Sequence, residues 1–341
     1  MNKKKGFVFF IGLNIVFILW GESQDRKRAM KKEPLVYYSA HKGVDSFWVN
    51  QLGRALFYDP VLSTDSTISC ASCHNSYTAF AHVDHALSHG IKNRIGRRNA
   101  PALMNLRYYP VLMWDGAIVS LEMQALAPLH DTAEMSESFQ HVLEKLNRQK
   151  RYREWNQKAW GYDSVNSSSF LKSVASFVAS LQSFQSKYDS VQRGEQVFTA
   201  QEQSGYHLFK KYCANCHTEP LFTNLQFRKN GLFPDSILND TGRERITHQA
   251  SDRYLFRVPT LRNIEFSYPY MHDGRFLKLS AVLDHYMHIG KNNSQVSPEL
   301  KAGVRLTANE KTDLIAFLLC LSDRAFIFNT QFTYPFHLLN Q

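Results

Sequence analysis

Two stretches of this 341-residue chain carry the same pattern, Cys70-Ala-Ser-Cys73-His74 and Cys213-Ala-Asn-Cys216-His217. Two thiols separated by two residues and followed at once by a histidine form the spacing that attaches a c-type haem. The thiols form thioethers with the two vinyl groups, and the histidine reaches the iron from the proximal side. A redox C-x-x-C pair would also use such thiols. A four-cysteine zinc site would leave both histidines idle and would have to bridge the long gap between the pairs. Repetition of the whole pattern therefore points to two covalently bound haem c groups. The remaining cysteine, Cys320, lies in the apolar run LIAFLLCL and reads as a buried, inert thiol.

An iron held on one side needs a second ligand, an open face or a nearby proton donor. The run LDHYMHIG, residues 283–290, offers four candidate ligands: His285, Tyr286, Met287 and His288. Leu279, Val282, Leu283 and Tyr286 fall at i, i+3, i+4 and i+7, so a helix here turns Tyr286 inward. Met287 is one residue further round and stays an alternative. His285 and His288 flank the stripe and lean to solvent, and Gly290 ends the helix. After the first motif, His82, His85 and His89 are candidate distal ligands, and Gly90 next to His89 fits a mobile loop that swings a ligand on and off iron. Trp114, in a tight WDG turn, is either plain packing or a stepping stone for electrons. Gln124 and Glu134 are the polar side chains expected near a haem pocket. A carboxylate there can take a proton from one peroxide oxygen and return it to the other; in isolation, Glu134 reads more readily as an exposed helix residue.

The elements that must hold these residues are mostly helical. SSSFLKSVASFVASLQSFQSKYD places Phe170, Val174, Phe177, Val178, Leu181 and Phe184 at helical spacing, with serines ahead to cap it. Thr199 with Glu202, and Thr307 with Glu310, are capping-box pairs that start two more helices. Strand-like alternation is scarce, and the connecting stretches are rich in Gly, Pro, Asn and Asp. The expected fold is mainly α: two cytochrome c-like haem domains with long loops wrapped around the cofactors. The boundary falls near residues 186–202, giving an N-terminal haem domain over 34–190 and a C-terminal one over 191–341. A chain of this length has room for both cores.

Residues 1–33 stand apart. A basic start, MNKKK, precedes about fifteen mostly apolar residues and a polar break, which is signal-peptide anatomy and short for a membrane span. No cysteine follows the apolar run, so it is not a lipoprotein signal. No clear small-x-small cleavage site is visible, which keeps an uncleaved anchor as the alternative. Export to the periplasm is expected. The formal net charge of +10 suggests an acidic partner or a membrane surface. Part of that excess sits in this segment, however, and the propionates of two haems offset more of it. Without a basic stripe interleaved with aromatics, nucleic acid is not an expected partner.

The two C-x-x-C-H motifs, WDG followed by L-E-x-Q, the EM of AEM, VPTLRN, and PYMHDGRF with DHY together resemble the bacterial di-haem cytochrome c peroxidase/MauG family, from about Trp48 to Leu319. The resemblance implies that Cys70, Cys73 and His74 hold a low-potential haem where peroxide reacts. Cys213, Cys216 and His217 would hold the haem that receives electrons. It further implies His89 as the removable distal ligand, Trp114 between the haems, Glu134 as the catalytic glutamate, Gln124 beside it, and His272 as the family's turn histidine. A calcium ion between the domains is typical of the family, and its ligands map to the Asn99 side chain and the carbonyls of Ser267 and Pro269. Peroxidases of the family usually place a methionine distal to the second haem; here Tyr286 takes that register, as in MauG. A tyrosinate is a hard, anionic ligand and lowers the potential.

The first expectation is a periplasmic peroxidase that reduces hydrogen peroxide to water with electrons from a cytochrome c or cupredoxin. The alternatives are a MauG-like oxidase acting on a protein or small molecule through high-valent haem, and a non-enzymatic di-haem electron carrier. Homodimers are common in the family, and no stretch of this sequence marks an interface.

Overall fold

The computed structural model describes residues 34–39, 46–289, 293 and 295–340. The sequence reading of 1–33, and of Gly290 as a helix end, lies outside the described residues. Within them, no helix is long and apolar enough to cross a membrane.

The architecture is helical, with the same construction used twice. Helix α1 (Ser46–Tyr58) is followed by α2 (Phe139–Arg148), α3 (Lys150–Trp160) and α4 (Ser167–Ser180). Next come α5 (Lys187–Gln192), α6 (Ala200–Tyr212), α7 (Leu279–Met287) and α8 (Ala308–Leu319), with long loops and single helical turns in the connections. Helix α4 begins at Asn166, whose side chain accepts from the Ser169 N–H while the Ser169 hydroxyl accepts from the Asn166 N–H, so one of the expected serines does cap the helix, in a box with Asn166. Thr199 and Glu202 cap α6 reciprocally, and Thr307 and Glu310 do the same for α8. These bonds satisfy amide groups that the first turn of a helix leaves unpaired.

In each half, one helix pair crosses at a glycine. Helix α1 lies on α4 so closely that a Cβ on Gly53 would sit 1.9 Å from the Ser173 carbonyl oxygen. Helix α6 lies on α8 in the same way, with Gly205 equally close to the Asp313 carbonyl. The first core is built on Phe57, Phe80, Phe170 and Phe177, and the second on Phe209, Phe222, Leu314 and Phe317. The chain's tail departs from the simple division of the sequence at residue 190. Phe326, Ile327 and Leu338 bury in the first core rather than the second. Arg54 on α1 holds the tail by donating to the Thr330 and Thr333 carbonyls, and Tyr58 donates to Phe332.

Among the described residues, strand structure is limited to an antiparallel ribbon, β1 (Phe227–Arg228) with β2 (Phe256–Arg257). The long loops are ordered by single antiparallel bridges instead: Asn75 with Ala81, His89 with Ile95, Leu112 with Ile118, and Tyr270 with Phe276. Each bridge closes a tight loop of the same span, and these loops carry His89, Trp114 and His272.

The glycine crossings yield a direct test. Gly205→Ala is expected to destabilise the holoprotein by about 1–3 kcal/mol, because the added methyl must push α8 away from α6. A lowered thermal midpoint by calorimetry is the expected result. An unchanged midpoint would show that the crossing is not close-packed.

Candidate haem sites

The first candidate site is a cavity bordered by Cys70, Cys73, His74, His89, Gln124, Glu134 and the α4 residues Val174 and Val178. The motif itself is a single helical turn, Cys70–Cys73, started at Ser69. The His74 Nδ1 donates to the Phe80 carbonyl at 2.8 Å. That bond fixes the tautomer and leaves Nε2 as the ligating atom. Burial pulls the His74 pKa down to about 4, so at neutral pH the ring is uncharged and able to bind metal. Burial pushes the Cys70 thiol up to about 12 and the Cys73 thiol up to about 11.

The second cavity, the roomier of the two, is bordered by Cys213, Cys216, His217, Leu279, Val282, Leu283 and Tyr286. It extends to Trp114, Asn99, Ser267, Pro269, Met271 and His272. His217 Nδ1 faces the carbonyls of Phe222 and Pro259, each at 3.1 Å, and burial again lowers its pKa to about 4. None of the cysteines in either motif is tied up in a disulfide. Both motifs therefore present two free thiols and one correctly turned neutral imidazole at a cavity wall, which is the donor set a covalent haem requires.

On the first cavity, Glu134 and His89 are mechanically joined. The Ile91 N–H donates to the Glu134 carbonyl at 2.8 Å, and a Cβ on Gly90 would meet the Ala133 and Glu134 carbonyls at 2.2 and 2.4 Å. Gly90 thus serves close packing, a different role from the free hinge its sequence suggested. The Glu134 carboxyl is pushed up to about 7, by burial first and by Asp131 second. Gln124 donates to the Met113 sulfur at 3.0 Å while its Oε1 is buried without a partner. His82, His85 and His89 cluster, the last two with ring centroids stacked at 4.1 Å, and of the three it is His89 that borders the cavity.

On the second cavity, Tyr286 borders the space beside the thiols, and burial raises its hydroxyl pKa above the ordinary range. Met287 packs against the second core and is not on the cavity wall. His285, expected to lean to solvent, is instead half-buried, its Nε2 bonded to the Asn230 carbonyl at 2.8 Å. His288 is exposed, with Nδ1 on its own turn at Asp284. Met271 is on the wall, its sulfur 3.6 Å from the Asn230 amide.

Trp114 is nearly buried at the junction of the two halves. Its indole N–H donates to the Asn99 carbonyl at 2.9 Å, and its own carbonyl accepts from Arg257 at 2.7 Å. The neighbouring Asp115 pairs with Arg98, which also grips Asp240. The Asn99 N–H donates to the His272 carbonyl, and the Asn99 side-chain amide donates to Ala86, leaving its oxygen for another partner. The His272 ring stacks on Phe256 at 3.8 Å, and its Nδ1 is buried without a partner.

A family model described as di-haem cytochrome c peroxidase matches residues 49–197. The chain is 34% identical to methylamine utilization protein MauG of Methylorubrum extorquens over 279 residues, covering 78% of this chain and 76% of that one. It is 32% identical to the cytochrome c551 peroxidase of Nitrosomonas europaea over 277 residues, covering 80% and 79%. The chain belongs to the di-haem cytochrome c peroxidase family. It is an oxidoreductase of that family, and two haem c groups are implied. Among solved structures, a MauG-like protein associated with microbial copper homeostasis superposes with a TM-score of 0.79 at 30% identity, covering 90% of this chain and 98% of that one. The di-haem peroxidase BthA of Burkholderia thailandensis shares the fold at a TM-score of 0.70 and 22% identity, covering 86% and 94%.

Several wall residues were not singled out from sequence. Val174 and Val178 belong to a stripe that reads as ordinary core. Arg228 and Arg257 come from the β-ribbon; Arg257 is set between the apolar Phe256 and Val258, while Arg228, between Phe227 and Lys229, carries no such signal.

The placement of Tyr286 and Met287 predicts an optical outcome. Tyr286→Phe should alter the ferric spectrum of the second haem, and Met287→Ala should leave it as in the parent. A far-red charge-transfer band characteristic of methionine ligation, present in the parent and lost in Met287→Ala, would contradict this.

Proposed function

We propose that this protein is a periplasmic di-haem peroxidase that reduces hydrogen peroxide to two waters, using two protons and two electrons from a reduced cytochrome c or cupredoxin. The observation that carries the proposal is Glu134: a half-buried carboxyl at the wall of the first cavity, with its pKa near 7. When bound, the two haems supply the redox-active irons, one for peroxide and one for incoming electrons. The protein's own residues do the rest. Glu134 takes the proton from one peroxide oxygen and returns it to the other, for which a pKa near working pH is optimal. Gln124 offers its unpartnered Oε1 as an acceptor for the peroxide O–H. His89, on its bridged loop, is the distal group at the same cavity. Trp114, held at both its indole N–H and its carbonyl, is the aromatic bridge between the halves. Calcium, held by the Asn99 side chain and the carbonyls of Ser267 and Pro269, would use oxygen donors suited to that ion. All three residues border the second cavity near the Trp114 loop.

A second reading, oxidation of a protein or small molecule, is favoured by Tyr286, because an anionic oxygen ligand would hold the second haem at low potential. It takes over if the loaded protein, with calcium, reduces no peroxide above free haem with any reduced donor, yet consumes peroxide when given an oxidisable substrate.

The Glu134 assignment sets the pH dependence. The base form is the carboxylate, so kcat/KM should rise with pH through about 7 on the acid limb. Glu134→Gln should lower kcat by roughly 10²–10³-fold and abolish that limb. Steady-state peroxidase assays from pH 5 to 9 provide the check; a variant with parental kcat and the same acid limb would remove Glu134 from the mechanism.

A further inference from the structure

Among the described residues, the arginines inside the fold differ in whether a carboxylate pairs with their charge. Arg262 is fully buried and forms a two-point pair with Asp189. Arg98 is held by Asp115 and Asp240. Arg54 has no carboxylate, but two carbonyls of the C-terminal tail take its N–H groups and it lies away from both cavities. Arg257 differs. It is 5% exposed, and among the described residues no Asp or Glu pairs with it. Its Nε donates to the Met113 carbonyl at 3.1 Å, and its guanidinium lies 4.8 Å from the Tyr109 ring centroid and interacts with the Tyr109 hydroxyl. Its side chain borders the second cavity, the one that carries Cys213, Cys216 and His217. Its ribbon neighbour Arg228 borders the same cavity but already faces Glu299 at 3.2 Å.

An uncompensated buried guanidinium is costly, and arginine in such a position marks a site for a carboxylate or phosphate. The anion that belongs in this cavity is a carboxylate of the cofactor itself. We infer that Arg257 is a positioning residue that pairs with a propionate of the second haem and ties that haem to the Met113–Trp114 segment. Both of its roles act on one stretch of chain. The backbone N–H of Arg257 holds the Trp114 carbonyl and its Nε holds the Met113 carbonyl, while the residue also borders the cavity. The propionate bond then fixes the haem edge relative to the indole through one residue. The inference rests on the second cavity being a haem site and is independent of which substrate the protein turns over.

The test uses full-length, haem-loaded protein carrying Arg257→Leu, Arg257→Gln or Arg257→Lys. Haem per chain and both reduction potentials are measured by spectroelectrochemistry. In Arg257→Leu, loss of the positive charge should stabilise the ferric form, so the second haem's potential falls while the first is unmoved; Arg257→Lys should recover part of the shift. An unchanged second potential in Arg257→Leu with both haems attached overturns the inference. If Arg257→Leu attaches only one haem, the decision passes to the other two variants. Two haems in Arg257→Lys but one in Arg257→Gln supports the charge pairing. Failure of both, or two haems and parental potentials in both, overturns it. A parent chain that itself attaches one haem would instead refute the haem reading of the second cavity.

Discussion

The hydrogen bond from a proximal imidazole to a backbone carbonyl organises both sites. An imidazole following C-x-x-C can bind iron only through the nitrogen that carries no proton, so something must hold the proton on the other nitrogen. Here the Phe80 carbonyl does so for His74 and the Phe222 carbonyl for His217. Both phenylalanines sit at positive φ, 57° and 54°, which costs an L-residue roughly 1–2 kcal/mol. Their rings compensate. Phe80 is buried against Phe57, Phe177 and Phe326, and Phe222 against Tyr188, Phe209 and Phe317. Core packing is therefore what aims the carbonyls at the imidazoles.

From this constraint the rest of each half follows. Phe57 and Phe177, and likewise Phe209 and Phe317, belong to helix pairs whose glycine crossings bring the helices to backbone contact, so each imidazole-holding phenylalanine packs on one rigid support. The groups that would handle protons and electrons lie on loops, yet these loops are not free. Bridges close them, Gly90 seats the His89 loop on the backbone of Glu134, and Arg98 and Arg257 pin the Trp114 turn to the second half. Glu134 is then the one carboxyl on the first wall that burial leaves poised between its two protonation states.

Local patterns were legible in the sequence where physics is local. The haem motifs, the Thr199 and Thr307 capping boxes and the helical phase that turns Tyr286 rather than Met287 into the cavity all depend on residues within a few positions of one another. What depended on distant partners was not. The tail carrying Phe326 and Leu338 could not be assigned to the first core, because its apolar residues have no periodic signature and its anchors are on α1. His285 read as solvent-facing because its partner, the Asn230 carbonyl, is more than fifty residues away. Gly90 read as part of a mobile loop because the Glu134 backbone it packs on is more than forty residues away, and Arg257 became visible only once its lack of a carboxylate could be seen.

The central claim is that the two sites work as one peroxidase, with electrons held at the second haem spent on peroxide at the first. Stopped-flow spectroscopy of the half-reduced protein, mixed with one equivalent of hydrogen peroxide, tests this most directly. The account predicts that the second haem's reduced absorbance disappears on the same time course as the peroxide. A second haem that stays reduced while peroxide is consumed, or peroxide that persists beside it, would contradict the account.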